Sequence, residues 1–192
     1  MSKAVFFDRD GTLLVEIGYV SHPSLVVPYC SSVAALARAR QCGFRLIAVT
    51  NQSGVARGWL TEADLACVHA RMQEILASGG GALDAIYYCP HHPQATVEAY
   101  RKVCNCRKPA TRLGEIAMEG FGIDATKSFA VGDKITDLRF GRSLGVRPCL
   151  VRTGFGAGEE RELRRNGPGD VHVAENVVDA VDWIIREDAR NL

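Results

Sequence analysis

The sequence predicts a three-layer α/β fold, in which helices cover both faces of a central parallel sheet. Three observations carry this expectation. Short apolar runs with the character of buried strands alternate with amphipathic stretches along the chain. Polar residues with catalytic potential stand at the carboxyl ends of those runs, at Asp8, Thr50, Cys89 and Gly132-Asp133, where ligands bind in open sheets of this kind. The length of 192 residues, with 47% apolar and 23% charged residues, supports one ordinary globular core. The expected organisation is therefore a single domain over residues 1–192.

Taken in order, Ala4–Phe7 is an apolar run ending in acids and reads as a buried strand. Ser31 or Ser32 can cap a helix carrying Val33, Leu36 and Ala37, with Gly43 as its stop. Residues 45–50 (RLIAVT) form the second strand. Thr61-Glu62-Ala63-Asp64 has the form of a capping box with Asp in place of the usual Glu or Gln, and the helix beyond it lines Leu65, Val68, Met72, Ile75 and Leu76 along one stripe. A third strand at 85–89 leads into a long polar loop over 90–110 that lacks apolar anchors. A helix near 113–119, a strand at 128–131, a loop at 132–137, a helix at 138–144 and a strand at 146–151 follow, and two further helices complete the chain. Alternation of this kind implies right-handed βαβ units.

The net charge of +1 argues against a broad nucleic-acid or acidic-membrane surface, which needs clustered positive charge. No run approaches the roughly 18 apolar residues of a membrane span. The apolar stretch before Asp8 is too short for a secretory signal. The expected setting is the cytoplasm, and the expected partner is a small-molecule substrate rather than nucleic acid or membrane, with the chain acting as a monomer. In that setting the seven cysteines are thiols or metal ligands rather than disulfides. Cys30, Cys42, Cys67 and Cys149 lack partner spacing and are expected to be small buried or half-buried residues.

Four short motifs carry chemistry. In Asp8-Arg9-Asp10-Gly11-Thr12, two carboxylates two residues apart leave a strand and can face one site, with Gly11 permitting the tight turn after them. Displacement at a phosphate monoester needs an in-line nucleophile, a proton donor for the leaving oxygen and positive charge around the phosphoryl group. Asp8 can attack while Asp10 protonates the leaving alkoxide and later activates water. Arg9, between the two acids, is expected to point elsewhere. Thr50, in Thr50-Asn51-Gln52-Ser53-Gly54, can offer a hydroxyl to a phosphoryl oxygen, and Lys108, in Arg107-Lys108-Pro109, a point charge. Asp133 and Asp137, in Gly132-Asp133-Lys134-Ile135-Thr136-Asp137, are carboxylates of the kind Mg²⁺ prefers.

Inside the long loop, Cys89-Pro90-His91-His92 is answered by Cys104-Asn105-Cys106. Residues i and i+2 of an extended segment share a side, which selects His91 over His92 as the partner of Cys89 and pairs Cys104 with Cys106. Two cysteine-containing pairs supply four ligands for tetrahedral Zn²⁺, and a site filled by four protein ligands is structural rather than catalytic. Zinc there would hold Arg107 and Lys108 in place.

In this order, DxDGT, a strand-end Thr, a Lys and GDxxxD resemble the haloacid dehalogenase (HAD) superfamily of phosphatases, over residues 4 to about 155. The resemblance implies a Rossmann-like HAD fold, Asp8 as a covalent nucleophile and Asp10 as its acid/base. It also implies Mg²⁺ on Asp8, the main-chain carbonyl of Asp10 and Asp133, with Asp137 bracing this set and Thr50 and Lys108 stabilising the phosphoryl group. DRDGT, TNQSG, CPHHP and CNCRKP together are similar to the heptose bisphosphate phosphatases of that superfamily, which implies a sugar bisphosphate substrate. By that resemblance Arg107 helps recognise the substrate, Glu16, Ile17, Gly18, Tyr19, Asn51, Gln52 and Ser53 line its site, and Lys134 sits near substrate and metal. No stretch has room for a large cap domain, so selectivity falls to loops at 15–30, 53–60 and 90–107, with Arg57 a candidate for a distal phosphate.

Overall fold

Alternate residues of the first strand serve two cores. The computed structural model describes residues 1–165 and 171–190, so the predicted extent of 1–192 includes residues that lie outside that description. Strand β1 (Lys3–Phe7) turns Val5 and Phe7 to one face of the sheet and Ala4 and Phe6 to the other. Five more strands join it: β2 (Phe44–Asn51), β3 (Ala85–Cys89), β4 (Phe129–Gly132), β5 (Arg147–Val151) and β6 (His172–Ala174). All pairs are parallel, in the order β3-β2-β1-β4-β5-β6.

Helices α1 (Ser32–Gln41) and α3 (Glu62–Ser78) cover the Val5/Phe7 face together with α7 (Val177–Ala189). The Ala4/Phe6 face is covered by α4 (Arg112–Phe121) and α5 (Ile135–Leu144). Two further helices are α2 (Ser53–Ala56) and α6 (Gly156–Arg165). The order of the strands reverses between β1 and β4, and the crevice beyond the carboxyl ends of these two strands is where an open sheet binds its ligand. Asp8 and Asp133 are the first residues past those ends.

Most elements fall where the sequence predicts them, and the departures have local causes. α2 and β6 span four and three residues, too few to register a periodicity. α5 begins at Ile135, which puts Asp137 in its first turn rather than in a loop; there its carboxylate accepts the Lys134 N–H at 3.0 Å. Neither Ser31 nor Ser32 caps α1 through its side chain, because the Ser32 hydroxyl donates instead to the Leu13 carbonyl at 3.2 Å. The 90–110 loop does have apolar anchors: Ala95 is buried, and Tyr100 packs against Val55, Leu60 and Leu65.

No folded cap interrupts the described chain. The connection from β1 to α1 holds only a short 3-10 turn at Pro23–Leu25, and that from β2 to β3 holds α2 and α3. Among the described residues no helix is long and apolar enough to cross a membrane. The expected capping box opens α3: the Asp64 N–H donates to Thr61 Oγ1 at 3.1 Å, and the Thr61 N–H donates to Asp64 Oδ2 at 2.9 Å. Thr61→Ala should lower the unfolding free energy by about 1 kcal/mol in urea denaturation at fixed metal concentration.

Candidate active site

Asp8 leaves β1 with its N–H bound to the Val131 carbonyl at 2.9 Å, so β4 fixes the backbone from which its carboxylate projects. Lys108 comes from far along the chain to meet it. Its Nζ donates to Asp8 Oδ1 at 2.7 Å and to the Val49 carbonyl at 2.6 Å, and pairs with Asp137 Oδ1 at 2.7 Å. All three ammonium donors are therefore used. Burial alone would push Lys108 towards neutrality; Asp137 and Asp8 outweigh it and hold the ammonium above the ordinary lysine range. The Lys108 backbone is clamped as well, since Asn51 accepts its N–H at 2.9 Å and donates to its carbonyl at 3.1 Å.

Asp133 is fully buried behind this pair. Its Oδ2 accepts the Phe155 N–H at 2.9 Å, while its Oδ1 is buried with no hydrogen-bond partner. Burial and the nearby Asp8 carboxylate push its acid up to about 8. Gly11, at φ +80°, and Gly154, at φ +57°, close around it. A Cβ at Gly11 would lie 2.1 Å from Asp133 Oδ2, and one at Gly154 2.3 Å from it, so both positions require glycine. Asp8, Asp133 and Asp137 converge closely enough to share an ion. Asp137 is already committed to Lys108 and to the Lys134 N–H, which leaves Asp8 and the orphaned Oδ1 of Asp133 to face a cation. A buried acid facing a second carboxylate without a donor suits a hard divalent ion such as Mg²⁺.

Asp10 is held from behind. Arg9 was expected to point elsewhere, but its guanidinium, 1% exposed, turns back onto the Asp10 carboxylate, with Nε at 3.0 Å from Oδ1 and NH2 at 2.9 Å from Oδ2. Gln52 Nε2 donates to Asp10 Oδ2 at 2.8 Å and to Thr50 Oγ1 at 2.9 Å, and Gln52 Oε1 accepts from Arg9 at 2.9 Å. The two acids and Lys108 open onto a cleft of about 610 Å³.

That cleft brings together Glu16, Gly18, Tyr19, Thr50, Asn51, Gln52, Ser53, Arg107, Lys134 and Asp137 as the sequence predicts. Ile17 is the exception; it is exposed and does not line the cleft, although Glu16, Gly18 and Tyr19 on either side of it do. Arg57 is also absent from the lining and instead lies over the Trp59 ring, 5.6 Å from its centroid. Asn51 and Gln52 reach the cleft with their side-chain hydrogen bonds largely spent on Lys108, Asp10 and Arg9. Thr136 and Phe155 join the lining unforeseen. Phe155 had only its place in a glycine-rich stretch to mark it, and its ring lies 4.5 Å from Lys134 Nζ. His69, bound to Arg9, was legible only as a histidine beside Val68 on the buried stripe of α3.

The four predicted loop ligands do converge. Cys89 Sγ lies 3.5 Å from Cys104 Sγ and 3.1 Å from Cys106 Sγ, and His91 Nδ1 lies 3.7 Å from Cys89 Sγ and 3.2 Å from Cys106 Sγ. Ligands about 2.3 Å from a tetrahedral ion stand roughly 3.8 Å apart, so a small expansion of this cluster accepts one. Burial pushes the Cys89 thiol up, so metal entry must displace its proton. His92 is half-buried outside this set and accepts the Gln94 N–H at 3.1 Å. Of the other cysteines only Cys149 is buried; Cys30, Cys42 and Cys67 are exposed, contrary to expectation, because each lies outside the buried faces of the elements around it.

Residues 105–180 match a family described as HAD-hydrolase-like. The chain is 38% identical over 190 residues to the D-glycero-D-manno-heptose-1,7-bisphosphate 7-phosphatase of Chlorobaculum tepidum, covering 96% of this chain and 94% of that one. It is 43% identical over 152 residues to the D-glycero-beta-D-manno-heptose-1,7-bisphosphate 7-phosphatase of Escherichia coli K12, covering 79% and 80%. Among solved structures it is similar to the D,D-heptose 1,7-bisphosphate phosphatase from B. bronchiseptica complexed with magnesium and phosphate. That match has a TM-score of 0.85 and 32% identity, over 96% of this chain and 99% of that chain.

Two outcomes follow from the geometry. A proton on Asp133 favours the folded, metal-free chain below the ordinary carboxyl value of 3.8, and this contribution is lost as pH rises through about 8. The same proton competes with the cation. Titration calorimetry of chelator-treated protein should show Mg²⁺ affinity rising with pH up to about 8 and levelling above it, with proton release on binding near neutrality. Cys104→Ala should lower bound zinc, measured by elemental analysis, and with it the melting temperature; undiminished zinc content would rule out this ligand set.

Proposed function

The chain belongs to the HAD-type heptose bisphosphate phosphatases, and we propose that it removes the C7 phosphate of a D-glycero-D-manno-heptose 1,7-bisphosphate. The observation that carries the chemistry is the buried Asp8–Lys108–Asp137 set beside the orphaned Asp133 oxygen, all at the sheet's reversal point. The product serves the synthesis of nucleotide-activated heptose for lipopolysaccharide cores. We assign the enzyme to the cytoplasm and to a monomeric state.

The Asp8 carboxylate attacks phosphorus in line with the C7 oxygen, and the P–O bond to that oxygen breaks as the aspartyl phosphate forms. Asp10 gives its proton to the departing oxygen. It then takes a proton from the water that attacks the aspartyl phosphate, which releases inorganic phosphate and restores Asp8. Lys108 and the Thr50 hydroxyl compensate charge that builds on the phosphoryl oxygens. Asp8, Asp133 and the main-chain carbonyl of Asp10 would hold Mg²⁺, which supplies further positive charge against the phosphoryl group. Zn²⁺ on Cys89, His91, Cys104 and Cys106 is structural, because four protein ligands leave no position open.

Recognition of the sugar falls to residues of the cleft wall outside the Asp8–Lys108–Asp137 set. Arg107 and Lys134 supply positive charge at the cleft, and Glu16, Gly18, Tyr19 and Ser53 complete the wall. Asn51 and Gln52 line the cleft but act chiefly as braces for Lys108 and Asp10.

Purified enzyme with Mg²⁺ should release one phosphate from the heptose 1,7-bisphosphate, with a higher kcat/KM than on histidinol phosphate. The reverse preference would overturn the substrate assignment. Asp8→Asn should lower kcat by at least about 10³-fold with zinc content unchanged; undiminished turnover would refute attack by Asp8.

A further inference from the structure

The best-defined polar cluster outside the cleft lies directly behind Asp10. Arg9 is buried to 1% exposure, yet only Asp10 of its partners is charged. Its Nε meets Asp10 Oδ1 at 3.0 Å and Oδ2 at 3.1 Å, and its NH2 meets Gln52 Oε1 at 2.9 Å and Asp10 Oδ2 at 2.9 Å. Its remaining nitrogen, NH1, lies 3.2 Å from His69 Nε2. A guanidinium has no acceptor, so at this contact the imidazole must accept. His69 is then neutral, with its proton on Nδ1. Its surroundings agree: burial and the adjacent Arg9 hold His69 down to about 3, so the ring stays neutral across the working range of pH.

The contacts on Asp10 are unequal. Oδ2 accepts from Gln52 at 2.8 Å and from Arg9 through both NH2 and Nε, whereas Oδ1 meets Arg9 Nε alone. The less engaged oxygen is the one free to carry a proton, and its direction is set by a guanidinium that can rotate only if its far end is released. We infer that His69 on α3 is a positioning residue for Asp10: as a neutral acceptor it pins Arg9, which with Gln52 engages Asp10 Oδ2 and leaves Oδ1 to exchange the proton with the leaving oxygen. This rests on Asp10 being the acid/base.

The readout separates proton donation from folding and binding. The leaving oxygen of an alkyl phosphate needs a proton, whereas p-nitrophenolate leaves without one. For both substrates kcat/KM reports the transfer to Asp8 that expels this group. His69→Phe removes the acceptor at similar ring volume. It should lower kcat/KM by about tenfold or more on the heptose bisphosphate, or on whichever alkyl phosphate the wild-type enzyme turns over fastest, and by less than about threefold on p-nitrophenyl phosphate. His69→Gln, whose amide oxygen can replace Nε2 as acceptor, should recover most of the alkyl phosphate rate. Arg9→Lys keeps the charge but cannot reach Asp10, Gln52 and His69 at once; it should show the same alkyl-selective loss, and it serves as the test should His69→Phe not fold. Asp10→Asn is the control. If it shows no alkyl-selective loss, the acid/base reading fails. If it does, and the folded His69 and Arg9 variants lose both activities equally or neither, the positioning role is overturned.

Discussion

One buried ammonium ties the working end of the sheet together. Lys108 Nζ touches Asp8 beyond β1, Val49 within β2 and Asp137 in the first turn of α5, so three core elements share one cation. Removing a partner from a buried pair of this kind costs about 3–5 kcal/mol, because the charge left behind has no water to turn to. The charge count also explains why the arrangement is incomplete as a protein-only structure. Three carboxylates, Asp8, Asp133 and Asp137, converge where Lys108 alone makes ammonium contacts with Asp8 and Asp137, and burial together with the Asp8 charge holds the Asp133 proton up to about 8. A divalent cation is the natural counterweight, and the orphaned Asp133 Oδ1 marks where it fits.

Lys108 can act this way only if its backbone is fixed, and two independent anchors fix it. From the sheet side, Asn51 at the end of β2 binds both its N–H and its carbonyl. From the loop side, Cys106 stands two residues before it in a Cys/His cluster whose first member, Cys89, ends β3. The loop between is braced a third time where Tyr88 of β3 and Tyr100 donate to opposite oxygens of Glu62, at 2.5 and 2.7 Å. A loop gathered by this Cys/His cluster thus delivers its lysine to a site that the sheet has already shaped.

The short-range chemistry of this protein is legible in its sequence because it is periodic or fixed by spacing. β1, the capping box of α3 and the separate Cys89/His91 and Cys104/Cys106 pairs all depend on neighbours within a few residues. What was missed depends on the third dimension. Nothing near Arg9 says that Gln52 and His69 wait to receive it, 43 and 60 residues further on, so the residue expected to point away from the two acids instead turns back and, with Gln52, holds Asp10. Ile17 failed for the opposite reason: a stretch named as a whole does not reveal which residue a turn will point outward. The 90–110 loop was read as lacking anchors because Tyr100 finds its apolar neighbours on α2, on α3 and between them.

The division of labour among side chains accounts for a site without a cap. Asp8, Asp10, Lys108, Asn51 and Gln52 are bound to one another and to the sheet, so a new substrate cannot be accommodated by moving them. Arg107, Lys134, Phe155 and the Tyr19–Trp59 pair, whose rings meet edge-on at 4.1 Å, stand forward of that frame, and Trp59 and Phe155 are largely exposed. Changes among these forward residues can alter which phosphate ester is held while the reacting geometry behind them stays intact. The reverse does not hold. A change in the Arg9–Gln52 brace touches Asp10 whatever the ester, which is why reaction and selectivity in this fold rest on nearly separate sets of residues.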